Sequence, residues 1–401
     1  MKRLLLFLGI ILLFATEILR VYFIMPFPGS QKANTIDLAY FIHRNRIWFR
    51  LLGLVLVISP LYTYLIKGRT WSKVTLTIVL LLYAFIFFMF NFRFEADKMF
   101  YQPGTVRFAS PADNKVALDK LVIGIADGDK AKAYPIQIIG YHHQVRDSIA
   151  GTPIMVTYCT VCRTGRIFSP RIDNKPEQFR LVGMDHFNAM FEDATTKSWW
   201  QQATGIAIAG QMKGQRLAEL PSTQSTLAEW IALHPNTEIL QPDTTYKKQY
   251  DDLAEYDKGT IKGSLEKRDS ASWKMKSWVI GVRTDRSSKA YDWNDLVKQR
   301  LIQDTVGQVP VMVLLNNDST TFHVYNRTLN GQVLSFEKIA GQPLLLKESS
   351  TGSTWDLHGK CIEGTLKDQQ LAAVPSYQEF WHSWRQFHPG TTGYKHPVTD
   401  L

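Results

Sequence analysis

Residues 121–134 read LVIGIADGDKAKAY, and residues 278–291 read WVIGVRTDRSSKAY. Val-Ile-Gly and Lys-Ala-Tyr recur at one offset of 157. The same offset joins Asp147-Ser-Ile-Ala-Gly-Thr-Pro153 to Asp304-Thr-Val-Gly-Gln-Val-Pro310. Downstream it drifts to 154, where Gly210, Lys213, Leu217 and Pro221 match Gly364, Lys367, Leu371 and Pro375. Trp230 and His234-Pro235 likewise match Trp384 and His388-Pro389. A period this long is not that of a solenoid. It predicts a duplicated domain of roughly 120–150 residues, a normal domain size.

Each unit reads as α+β. Leu121–Ala126 is a strand, and Asp127-Gly128 is a hairpin signal. Residues 135–146 can hold a short helix, and Pro153–Tyr158 has the pattern of a buried strand. Further strands fit Arg166–Ser169, Phe179–Met184, Phe187–Phe191 and Gly205–Gly210. Thr226-x-x-Glu229 reads as a capping box before a helix, and Ser376-x-x-Glu379 reads the same way before Phe380, Trp381 and Trp384. The polar, charge-rich stretch 241–277 reads as a long exposed linker.

The first hundred residues are different. They carry 12 Lys+Arg against 4 Asp+Glu, so most of the formal +10 of the 401-residue chain sits there. Those cations flank three apolar runs, Leu4–Thr16, Leu51–Ile66 and Val74–Phe92. A bilayer core needs roughly 20 apolar residues per helix. The pattern predicts three transmembrane helices in a lipid bilayer rather than nucleic-acid binding. The first run could also be a secretory signal peptide, but its length and the lack of an Ala-x-Ala-like site favour an uncleaved helix. Glu17 and Arg20 share one face of it and read as a self-neutralising pair near the helix end. Lys/Arg flanks do not fix the orientation, while the export-like start and three crossings place the large C-terminal part outside the cytoplasm. The expected organisation is a transmembrane region over 1–100, a first α+β copy over 101–240, the linker 241–277, and a second, degenerate copy over 278–401. The expected location is the cell's inner (cytoplasmic) membrane, crossed more than once.

Chemistry concentrates in one loop. The strand over 154–158 ends in Cys159-Thr-Val-Cys162, followed by Arg163 and Arg166. At the offset of 157, Cys159, Cys162, His142 and His143 become Asn316, Ser319, Gln299 and Arg300. One copy thus keeps a functional cluster that the other lacks. Three readings stay open. In the first, Cys159 and Cys162 form a redox pair whose thiolate the nearby arginines favour, on a loop reachable at a sheet end. In the second, two thiolates with His142 or His143 hold zinc or copper. In the third, the pair is structural. Cys361, alone in the second copy, reads as a buried apolar residue.

Residues 118–240 resemble the bacterial and archaeal family called domain of unknown function 3179. The resemblance rests on Lys132-Ala-Tyr-Pro135, Gly151-Thr-Pro-Ile-Met-Val-Thr-Tyr-Cys159 through Cys162-Arg-Thr-Gly165, Thr196-Lys-Ser-Trp199 with Gln201, and Trp230 with His234-Pro235. His142 falls where the family has a His ahead of an Asn/Asp-Asp pair, Arg146 replaces the first member of that pair, and Thr160 stands where Pro is usual. Some relatives carry selenocysteine in the cysteine loop, and many replace the second cysteine. The resemblance therefore implies thiol redox chemistry, with Cys159 attacking, Cys162 resolving and His142 moving a proton. The rival expectation is a metal-binding or accessory module. Either would work with a redox or metal-delivery protein partner. The cofactor and substrate are not legible.

Overall fold

The computed structural model describes residues 1–395. The chain divides into two compact units. One joins Met1–Gln102 to Pro170–Ala218, and the other joins Pro103–Ser169 to the chain from Glu219 onward. The fold is α+β, with three apolar helices ahead of many small sheets.

In the first unit, helices α1 (Lys2–Tyr22), α2 (Ile36–Lys67) and α3 (Thr70–Phe92) are each long and apolar enough to cross a membrane. Large side chains such as Val55, Ile58, Leu81 and Phe85 face outward, as lipid contact requires. Helices α1 and α2 meet through small residues. A Cβ on Gly9 would lie 2.6 Å from Val57, and one on Gly53 would lie 2.7 Å from Leu13. Apolar surface drives no association inside lipid, so close backbone approach is what packs such helices.

Glu17 and Arg20 do not neutralise each other, which corrects the sequence reading. Glu17 takes both Nε and Nη2 of Arg50 at 2.7 Å. Arg20 reaches Glu95 at 2.7 Å, and Asn91 joins the two pairs by contacting Glu17, Arg20 and Arg50. Each charge finds a better opposite on another segment than its neighbour one turn away. The first turns of α2 pack onto the sheet ordered Ala207–Ala209, Trp199–Gln201, Asn188–Asp193, Phe179–Asp185. There Tyr40 lies edge-on to Trp199, and His43 approaches Glu192 at 3.5 Å.

The second unit repeats one set of ladders at fixed offsets. Leu121–Asp127 pairs antiparallel with Lys130–Pro135, and Trp278–Arg283 pairs with Ser288–Asp292. Ile123 faces Tyr134 as Ile280 faces Tyr291. Gln144–Ile149, Thr152–Cys159 and Thr164–Phe168 form a meander, matched in register by Leu301–Val306, Val309–Leu315 and Phe322–Asn326. Side-chain locks repeat too. Lys132 and Tyr134 hold Asp147, as Lys289 and Tyr291 hold Asp304. Trp230 and Trp384 each lie on the glycine of the matching strand. A Cβ on Gly124 or Gly281 would come within 2.4 or 2.2 Å of the indole, so only glycine fits beneath it.

Two expectations fail here. Thr226 caps the helix Leu227–Leu233 by accepting from the Glu229 N–H. Ser376–Phe380, however, is a strand on Trp278–Val282, and its helix begins only at Trp381. The position equivalent to Thr226 is Phe380, because Thr226 faces Leu121 as Phe380 faces Trp278. The stretch 241–277 is not simply an exposed linker either. It carries the helix Lys247–Asp252 and buries Tyr250 and Tyr256.

Candidate functional site

The cysteine loop is a tight turn between two antiparallel strands. Cys159 pairs with Thr164, and Arg163 takes the left-handed backbone at φ +57°. All three cysteines are thiols. Cys159 is 2% exposed and Cys162 is fully buried, so the loop is not open to a partner as the sequence reading expects. The cause is a cover built from distant sequence. The Phe380 N–H donates to the Cys162 carbonyl at 3.0 Å, and the Tyr256 hydroxyl donates to the Thr160 carbonyl at 2.9 Å. The Val161 carbonyl accepts from Lys276 Nζ at 2.6 Å and lies 3.2 Å from His382 Nε2.

The electrostatics also differ from the expectation. Arg163 is engaged by the cover rather than held free beside the thiols. Its Nε donates to Gln378 at 2.7 Å, its Nη atoms donate to the carbonyls of Tyr256 and Asp257, and its guanidinium lies 3.9 Å from the Trp278 ring centre. Arg166 donates to Glu379 at 2.5 Å and stacks on Tyr377. Lys276 is a cation that senses both thiols. Burial lowers its ammonium pKa, and the charges available to Cys162 and Cys159 pull it back up. Burial pushes the Cys162 thiol well above its ordinary value, and its hydrogen bond with Cys159 adds to that. Ser383 and Lys276 oppose the rise. Burial also lowers His382 to about 4, with Lys276 adding to the shift, so it is neutral at pH 7.

The predicted histidines lie at the end of the helix Ile136–His142. His142 Nε2 is 2.7 Å from the Tyr250 hydroxyl, within a cluster of Tyr141, Tyr246 and Tyr250. His143 Nδ1 contacts the Gly140 carbonyl at 2.8 Å, and burial lowers its pKa to about 4. Among the described residues, no group of three or more His, Cys, Asp and Glu side chains could hold a metal ion. Cys361 is buried in the core with Trp355, Leu346 and Leu371, as its strand-like surroundings suggest. At the matched loop, Asn316 Nδ2 donates to Glu229 at 3.2 Å.

Sequence reasoning misses Lys276, His382 and Ser383. Lys276 lies in the polar stretch, and the other two lie on a helix read only for its aromatic core. Their single signal is that Trp381-His-Ser-Trp384 replaces Leu227-Ala-Glu-Trp230 of the first half, with an imidazole in place of Ala228 and a hydroxyl in place of Glu229.

The sequence pattern of the family described as Protein of unknown function (DUF3179) matches residues 102–391. That stretch runs through both halves, well beyond the motifs at 118–240. No curated protein and no solved structure matches the chain.

Proposed function

We propose, from a chain that belongs to the DUF3179 family and from the geometry of its cysteine loop, a membrane-held thiol–disulfide protein. The observation that carries this reading is the tight turn that sets Cys159 and Cys162, two buried thiols, at one hairpin end, with the Lys276 ammonium donating to the carbonyl of Val161 between them. Cys159, as thiolate, attacks a disulfide of a partner. A mixed disulfide forms, and one partner sulfur leaves and takes up a proton. Cys162 then loses its proton, attacks the Cys159 sulfur and releases the second partner thiol. Two partner sulfurs are reduced and the two cysteines are oxidised. A high pKa at Cys162 suits the resolving role, since that thiol stays protonated until the mixed disulfide stands next to it. Lys276 supplies the charge that steadies the thiolate. Because both thiols are covered, reaction requires the contacts of Lys276 and His382 with Val161 to open.

The full chain in detergent is expected to react with 2,2′-dipyridyl disulfide, releasing two pyridinethiones per protein and losing two hydrogens in mass. C162S should stop at a stable mixed disulfide, and C159S should not react at this loop. Burial favours a second reading, in which the pair is structural. That reading wins if the thiols react only once the protein is unfolded.

We further infer that the two halves descend from one duplicated unit, with one site kept. The matched ladder registers and the two tryptophan–glycine contacts support this. The part beyond α3 is proposed to lie outside the cytoplasm of a bacterial inner membrane, where disulfides persist. A C-terminal alkaline-phosphatase fusion should then be active, and an inactive one would place that part inside.

A further inference from the structure

A cleft of about 460 Å³ opens beside the second-half hairpin of Trp278–Arg283 and Ser288–Asp292. Arg283, Arg286 and Lys289 line it with the hydroxyl residues Ser287, Ser288 and Thr392, and no Asp or Glu is among its lining residues. Arg283 and Lys289 each have one carboxylate nearby, Glu219 and Asp304, both at 2.7 Å. Arg286 is exposed at the tip of the turn. The floor is close-packed, since a Cβ on Gly307 would lie 2.8 Å from the Ser287 hydroxyl.

The matching surface of the first half has the opposite character. At the offset of 157, Thr284 and Arg286 correspond to Asp127 and Asp129. Lys289 faces Thr392 across a parallel pair, where Lys132 faces Glu238. Lys132 therefore has two carboxylates, Asp147 at 2.8 Å and Glu238 at 3.7 Å, where Lys289 has Asp304 alone. In the second half three cations stand against three carboxylates, Glu219, Asp304 and the exposed Asp285 beside Arg286, and none of the three lines the cleft. In the first half two lysines, Lys130 and Lys132, stand against four carboxylates, Asp127, Asp129, Asp147 and Glu238. Holding the hairpin needs only the Lys–Tyr–Asp lock that both halves keep. The extra positive charge answers to something else.

We propose that this cleft binds a multiply charged oxyanion, a phosphate or a phosphate monoester. Arg286 and Lys289 would supply charge-assisted hydrogen bonds and the hydroxyls would supply neutral ones. The cleft lies on the second-half hairpin, and no residue of the cysteine loop lines it, so the inference does not depend on the redox reading.

The test is calorimetric titration of inorganic phosphate into the full chain at low ionic strength, held in phosphatidylcholine nanodiscs. Saturable binding is expected, weakening as salt is added. R286E should weaken it at least about tenfold, because it reverses the one exposed cation of the cleft. K130E, on the matching hairpin of the first half, should leave it unchanged. Nanodiscs containing phosphatidic acid identify the source. Weaker apparent phosphate binding there means that a lipid headgroup competes for the cleft, and unchanged binding means a soluble phosphate. No binding up to about 10 mM phosphate, or equal binding by R286E, overturns the proposal.

Discussion

Replacing Glu379 by alanine is expected to destabilise the second unit by about 3–5 kcal/mol, the cost of stranding a buried charge. Arg166 and Glu379 are both fully buried, and their ion pair measures 2.5 Å. Arg166 Nε lies 3.3 Å from Glu219, and its guanidinium stacks 3.3 Å from the Tyr377 ring centre. Burial alone would lower the guanidinium pKa, but Glu379, Tyr377 and Glu219 together raise it. Without Glu379, a fully buried cation keeps Glu219 as its one nearby carboxylate, which also serves Arg283 and Tyr377, beside the Gly165 carbonyl and the Tyr377 ring. The melting temperature followed by near-UV circular dichroism should fall by roughly 10 °C. The double change Arg166→Met with Glu379→Leu should recover most of the loss, because two apolar side chains strand no charge. A single substitution that costs under about 1 kcal/mol would show that the pair is solvated in solution. The variant should also expose the thiols, since Phe380, the next residue along, caps the Cys162 carbonyl.

The second large effect is expected among the N-terminal helices. Glu17→Ala would leave Arg50 without its bidentate partner and remove one of the contacts of Asn91. Glu17 is fully buried, and Arg50 is 17% exposed. An uncompensated guanidinium in apolar surroundings costs several kcal/mol, so the helices should separate at a markedly lower detergent or temperature threshold. Glu17→Leu combined with Arg50→Leu should restore the threshold, while Arg50→Leu alone should fail much as Glu17→Ala does. The readout is thermal aggregation of detergent-solubilised full chain. Equal behaviour of single and double variants would show that the pair contributes nothing to assembly.

The sequence by itself determined what depends on neighbours along the chain. Apolar run length marked α1, α2 and α3, because crossing lipid is a matter of consecutive residues. Alternation and turn chemistry marked Leu121–Asp127, Thr152–Cys159 and the hairpin at Gly128, because a strand's two faces are written every second residue. Comparison within the chain lined up Lys132, Tyr134, Asp147 and Trp230 with their counterparts, since a scaffold keeps the groups that hold it. The Ser376 capping box misled because the same letters suit a strand whose polar members are buried. Glu379 is polar in sequence, but its role is to neutralise Arg166, a partner 213 residues away.

Only the tertiary structure decided the character of the site. Whether a Cys-x-x-Cys loop is open or covered, and which cation stands beside it, depends on what folds over it. Lys276 arrives from 115 residues along the chain and His382 from 221. No local pattern links such segments to the loop, because the energy of burying a thiol or a charge belongs to a place in space rather than to a stretch of sequence. For the same reason Arg163 and Arg166, adjacent to the thiols in sequence, serve Gln378 and Glu379 instead.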